Sequence, residues 1–280
     1  MSKKVLLLGY TGKMGIALCD AFKGYDLVCK NSQDFDACDF DAVKAMVVKE
    51  NPDVVFNTVA LVGIDICEDE PQKAYELNTL YPRELASLST QLGFVLIHFS
   101  TESIFCDRED GFYTESDTPK PLHIYGITKY GGDCIVEALA EKYYICRLPL
   151  LFGETNRETQ FVEKMLKKAE SGAVRVSADI YTSPSYSKDI AWEVKGILEE
   201  ELPFGVYHIV NEGKASLYDV FKEIVENLKL DVTVERASHK EFPSKAIKSV
   251  VTPMKSEKIK SLRPWREAIA EYTKSFEERS

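Results

Sequence analysis

Gly9-Tyr-Thr-Gly12-Lys-Met-Gly15 sits directly after the apolar run 5–8 and directly before a helix-patterned segment, 14–22. Three glycines at this spacing and in this context restrict the chain to few architectures. One lets the backbone turn sharply, one lets it approach a pyrophosphate, and one lets helix and strand pack closely, with the phosphate at the helix N-terminus. A short run that is apolar throughout suits a parallel strand buried on both faces. The alternation continues downstream. Residues 27–29, 54–56, 94–99 and 144–147 read as strands. Residues 42–49, 77–92 and 126–142 read as helices, with Asn51-Pro52 and Gly93 as stop signals. This order predicts an α/β fold, a doubly wound parallel (Rossmann) sheet.

Beyond residue 151 the alternation loosens. Helices are expected at 161–171, at 216–228 with Ser216 as cap, and at 266–278; short strands are expected at 174–176, 206–210 and 232–235. The division that follows is a dinucleotide-binding domain over 1–153, with contributions from about 175–211, and a smaller, mainly substrate-binding lobe over 154–280. Hydrophobic residues at 45% and charged residues at 29% exclude a disordered or fibrous chain. A net charge of −10 argues against nucleic acid or an anionic membrane as partner. No stretch approaches a membrane span, and the first apolar run is too short for a signal peptide, so a cytoplasmic protein is expected. Seven scattered cysteines form no Cys-x-x-Cys pair, which reads as small buried hydrophobes rather than a metal or disulfide framework.

Two features carry chemistry besides the glycine turn. The second strand runs into Lys30-Asn31-Ser32, without the acid that would hold a ribose 2′-hydroxyl. Lys30 and Ser32 suit a 2′-phosphate, so NADP(H) is the preferred cofactor, with NAD(H) as the lesser option. Thr11, Lys13 and Met14 share the turn and belong to the same expected site. The second feature is Tyr125-Gly-Ile-Thr-Lys129, whose ends lie on one helix face. A phenol titrates near ~10, and a neighbouring ammonium is expected to lower that value and make the pair a proton-transfer device. Tyr218 and Lys222 repeat the spacing in the outer lobe without a hydroxyl partner and read as structural. Tyr125 has such a partner within reach: the strand 94–99 ends in Ser100-Thr101-Glu102-Ser103, at the sheet edge where ligands bind.

These stretches together resemble the dTDP-4-dehydrorhamnose reductase family, within the extended short-chain dehydrogenase/reductase superfamily. The likeness runs through Gly9, Gly12 and Gly15, Asp39-Phe40, Asn51-Pro-Asp-Val-Val-Phe-Asn57 and Asn78. It continues through His98-Phe-Ser-Thr-Glu-Ser-Ile-Phe105, Pro121-Leu-His-Ile-Tyr-Gly-Ile-Thr-Lys129, Arg147, Gly153, Ser183-Pro184 and Asp189-Ile-Ala. It implies Thr101, Tyr125 and Lys129 as the catalytic set. It implies Gly9, Gly12, Gly15, Asp39, Phe40, Asn57, Ala60, Asn78, Tyr125 and Lys129 at the cofactor, with Lys129 on the nicotinamide ribose, and Glu102, Ser103 and Arg147 at the substrate. The implied reaction is NAD(P)H-dependent reduction of a nucleotide-linked 4-keto-6-deoxy sugar, by a chain that could pair as a homodimer. Glu102-Ser103 replaces the family's usual Asp-Tyr, Leu150 replaces a frequent Trp, and Ala178-Asp179-Ile180 replaces an Asp-Gln segment. A nucleotide-sugar epimerase uses the same Thr, Tyr and Lys, and the regulatory subunit of methionine adenosyltransferase resembles the same family; both stand as alternatives. An anionic substrate needs local positive charge, for which Arg147, Arg157, Lys164 and Arg175 are the candidates.

Overall fold

The computed structural model describes residues 3–155 and 160–277. Strands β1 (Lys4–Leu8), β2 (Asp26–Lys30), β3 (Val54–Asn57), β4 (Val95–Thr101) and β5 (Tyr143–Leu148), with the strand Gly205–His208, form one parallel sheet. Its spatial order is Gly205–His208, β5, β4, β3, β1, β2. The apolar run is explained by what covers it. Val5 and Leu7 face a layer made by helix α1 (Lys13–Ala21) and the helix Ser187–Glu199. Leu6 and Leu8 face helices α2 (Phe40–Glu50), Tyr81–Leu92 and Ile124–Leu139. With both faces covered, none of the four positions from Val5 to Leu8 gains from being polar.

The chain leaves β1 for β2 on one side and returns to β3 on the other. This reversal opens a crevice at the carboxyl ends of β1 and β3, where Leu8 pairs with Asn57. The glycine turn leaves β1 at that point. β4 runs two residues further than its apolar pattern, because Ser100 and Thr101 still pair with Arg147 and Leu148 of β5. The expected helix at 77–92 is interrupted: Glu76–Leu80 is a π turn and α-helix resumes at Tyr81–Leu92. π turns tend to mark functional positions, and this one carries Asn78. The helix Ser187–Glu199 was not expected from the sequence. Its apolar residues Ile190, Ala191, Val194, Ile197 and Leu198 do keep helical spacing, but Tyr186 offers no side-chain cap and Trp192 is exposed.

The remaining segments pack outside the sheet layers. Ala173–Ser177 pairs in parallel with Thr233–Ala237, flanked by helices Phe161–Ala169, Leu217–Asn227 and Trp265–Glu277. Ser216 and Asp219 form a reciprocal capping box at the start of Leu217–Asn227. No helix among the described residues is long and apolar enough to cross a membrane.

Candidate active site

The three glycines of the turn meet different demands. Gly9 has φ +90°, and a Cβ there would lie 2.5 Å from Thr58 Oγ1. At Gly15 a Cβ would lie 2.5 Å from the Gly9 carbonyl oxygen and 2.6 Å from Tyr10 Cα. Gly12 differs. Its Cβ would meet only the Gly9 oxygen, at 3.5 Å, an ordinary contact. The protein's own packing therefore does not demand glycine at 12, whereas a group approaching from outside would. Gly12 is also the N-cap of α1; no side chain caps that end and no acid lies in its first turn. The first N–H groups of α1 are thus open to an anion.

Thr11 is half-exposed on this turn, and Met14 is buried in the sheet core. Lys13 points inward, with Nζ 3.3 Å from the Leu151 carbonyl and 3.6 Å from Glu163. Lys13 and Met14 therefore offer the turn their backbone rather than their side chains. Asn57 and Asn78 shape the neighbouring loop. Asn57 Oδ1 accepts the Val59 N–H at 3.1 Å; Asn78 Oδ1 accepts the Leu61 N–H at 2.9 Å and its Nδ2 donates to the Leu61 carbonyl at 3.1 Å. Both amides are buried, and Ala60 in the loop they hold is half-exposed. Asp39 caps α2 through Ala42 N, and Phe40 packs partly against the same helix layer.

Tyr125 stands at the first turn of Ile124–Leu139. His123 caps this helix by accepting the Gly126 N–H at 3.1 Å, and Glu68 accepts the Ile124 N–H at 2.9 Å. A Cβ on Gly126 would lie 2.2 Å from the Ser103 carbonyl oxygen, so glycine lets the helix press on the turn after β4. That contact brings Tyr125 close enough to Thr101 for the Thr101 hydroxyl to favour the phenolate. Thr101 Oγ1 also accepts the Ser103 N–H at 3.1 Å, which leaves its proton free to donate. Burial pushes the Tyr125 phenol up to about 12, and the Thr101 bond only partly opposes this. The expectation of a lowered value is corrected here. Lys129 is buried and turned inward, donating to the Phe99 carbonyl at 2.7 Å, and burial lowers its own titration to about 8.

The RmlD substrate binding domain model matches residues 3–278. The chain belongs to the RmlD family. It is 31% identical to the Bacillus subtilis spore coat polysaccharide biosynthesis protein SpsK, over 96% of each chain. It is also 31% identical to the dTDP-4-dehydrorhamnose reductase of Mycolicibacterium smegmatis, over 96% of this chain and 84% of that one. Its fold matches the Clostridium acetobutylicum dTDP-4-dehydrorhamnose reductase with a TM-score of 0.93 at 28% identity, covering 98% and 99% of the two chains. The Bacillus anthracis enzyme, solved in complex with NADP, gives the same TM-score at 25% identity, covering 98% and 100%.

Within this RmlD-family frame, several charged residues stand where the sequence did not predict. Arg147 is buried, and its Nε bonds Asp133 Oδ2 at 3.2 Å, so its charge is held under the site and not offered to a substrate. Lys30 lies 3.8 Å from Glu50, which also holds Lys4 at 3.2 Å, so a 2′-phosphate would compete with Glu50 for its ammonium; Ser32 is exposed. Arg175 pairs with Glu235 and Glu241 on the lobe, Lys164 is exposed on Phe161–Ala169, and Arg157 lies outside the described residues. Glu102 faces the lobe. It accepts from the Thr182 hydroxyl, and burial pushes its carboxyl up to about 8, partly opposed by Thr182, Thr252 and the Leu150 N–H. Ser103 is half-exposed beside it. Tyr218 lies under the Arg236 guanidinium and Lys222 beside Glu226, as expected of a structural pair. Sequence reasoning missed His98, His123 and Asp133. A histidine inside an apolar strand and one three residues before a helical glycine were the available signals.

Proposed function

We propose that this protein is an NADPH-dependent reductase of a dTDP-linked 4-keto-6-deoxy sugar, with Tyr125 as proton donor. The observation that carries the reading is the placement of Tyr125 against Thr101 at the carboxyl end of β4, across the sheet edge from the glycine turn. The open N-terminus of α1 and the space at Gly12 fit a dinucleotide pyrophosphate there. Ser32 and the backbone around it are assigned to the 2′-phosphate, and Ala60 to the nicotinamide side. When bound, NADPH supplies the hydride to the carbonyl carbon.

The remaining steps belong to the chain. Tyr125 stays protonated at neutral pH because burial holds it near 12. It is thus a donor ready to protonate an oxygen that gains negative charge, a role worth about 10²–10⁴-fold in rate. Thr101 hydrogen-bonds the same oxygen and fixes its direction, and the Lys129 charge lies behind the pair. The lobe built from residues 154–280, apart from the segments that complete the sheet layers, is assigned to the nucleotide sugar. A cytoplasmic homodimer completes the reading, checked by sedimentation velocity.

The test is NADPH oxidation with dTDP-, UDP- and GDP-linked 4-keto-6-deoxy sugars. Stoichiometric consumption with the dTDP sugar is expected. Inversion of a sugar without consumption would make the protein an epimerase. Tight NADPH binding without any turnover would make it a binding subunit.

A further inference from the structure

Asn57, His98 and Lys129 form a line of buried side chains across β3, β4 and the Tyr125 helix. Asn57 uses Oδ1 to accept the Val59 N–H, so its amide NH2 is the face turned to His98, 3.1 Å from Nδ1. A donor at that distance requires Nδ1 to be unprotonated. The ring is wholly buried, and burial with the nearby Lys129 charge holds its titration well below the ordinary histidine value. His98 is therefore neutral, with its single proton on Nε2. That nitrogen lies 3.4 Å from Lys129 Nζ and 3.8 Å from Asp133 Oδ1. An ammonium has no lone pair, so an N–H aimed at it is a hydrogen bond only when the amine is uncharged.

We propose that His98, held in the Nε2–H tautomer by Asn57, is a positioning residue that favours the uncharged form of Lys129. The other groups facing Lys129 can be ranked. Asp133, on the same helix, favours the charged amine, and its Oδ1 is buried without a hydrogen-bond partner. Arg147 from β5 bonds the other Asp133 oxygen and offsets that pull. The Phe99 carbonyl accepts from Lys129 in either state. Tyr125 and Thr101 are neutral near pH 7. The His98 N–H thus works with burial and against Asp133. The consequence is an amine that gives up its charge at lower pH than an ordinary lysine, and with it the charge behind Tyr125. This consequence for turnover rests on the reductase reading; the tautomer and the amine's titration do not.

Two NMR measurements test the proposal without any substrate. Long-range ¹H–¹⁵N correlation on the unmodified protein should show His98 as the Nε2–H tautomer; the Nδ1–H tautomer would overturn the proposal. The Lys129 ¹³Cε resonance, assigned by its loss in Lys129→Arg, should titrate about one pH unit higher in His98→Leu than in the parent. A midpoint that is unchanged or lower would also overturn it. On a confirmed substrate, the basic limb of kcat should move upward by the same amount. If no sugar is reduced, the reductase reading fails while both NMR results still decide the role of His98.

Discussion

Alanine at Gly12 and alanine at Gly15 should fail in opposite ways, although the residues lie three apart in one turn. At Gly15 a methyl group would sit 2.5–2.7 Å from the backbone of Gly9 and Tyr10, which cannot rotate away as a side chain can. Overpacking of this kind costs about 1–3 kcal/mol, and backbone neighbours place it at the upper end. Gly15→Ala should therefore lower the urea midpoint strongly. At Gly12 the same methyl meets one oxygen at 3.5 Å. Replacing an N-cap glycine by alanine costs under about 1 kcal/mol, so stability should change little. The methyl would occupy the space assigned to the pyrophosphate, and losing that approach should raise the NADPH dissociation constant about 10- to 100-fold, or about 1.4–2.8 kcal/mol. Urea denaturation and NADPH fluorescence titration on both variants separate the two effects. If Gly12→Ala unfolds as readily as Gly15→Ala and still binds NADPH like the parent, the assignment of the turn is wrong.

NADPH should bind more tightly than NADH. Ser32→Asp should reverse that order, while Lys30→Ala should weaken NADPH less than about tenfold, because Glu50 already holds the Lys30 ammonium; equal affinity of the parent for both cofactors would defeat the 2′-phosphate assignment. Glu102 titrates near 8 in the fold against about 4.3 in an unfolded chain. The native state thus holds the extra proton between those values, and stability from this group is lost as pH rises through the window. Glu102→Gln should remove that slope; equal slopes from pH 5 to 8 in chemical denaturation of parent and variant would contradict the buried-carboxyl account. Lys129 acts in a separate window, since its lowered value makes stability rise with pH above about 8.

The parallel sheet and the glycine turn were legible because their causes are local. An unbroken apolar run such as 5–8 tolerates no exposed face, and Gly15 permits nothing larger. The Tyr125 and Thr101 pairing was legible for a similar reason: a hydroxyl at a strand end and a tyrosine at a helix start are fixed by the order of elements. What could not be read depends on distant partners. Arg147 looks like a phosphate ligand until Asp133 is seen bonded to it. Lys30 looks free until Glu50 arrives from the far end of α2. The sign of the Tyr125 shift went the same way. Spacing placed a lysine one turn on, but burial of the phenol outweighs a charge that is turned toward Phe99. The π turn at Glu76–Leu80 carries no sequence signal, because it is shaped around the buried bonds of Asn78 to Leu61 and Thr128.

The central claim is that Tyr125 delivers the proton, and its most direct test is kcat of Tyr125→Phe on the dTDP-linked 4-keto sugar. The substitution removes one hydroxyl and keeps the ring. kcat should fall about 10²–10⁴-fold with the NADPH dissociation constant unchanged, while the control Tyr218→Phe turns over like the parent. Tyr125→Phe turning over at the parent rate would contradict the account.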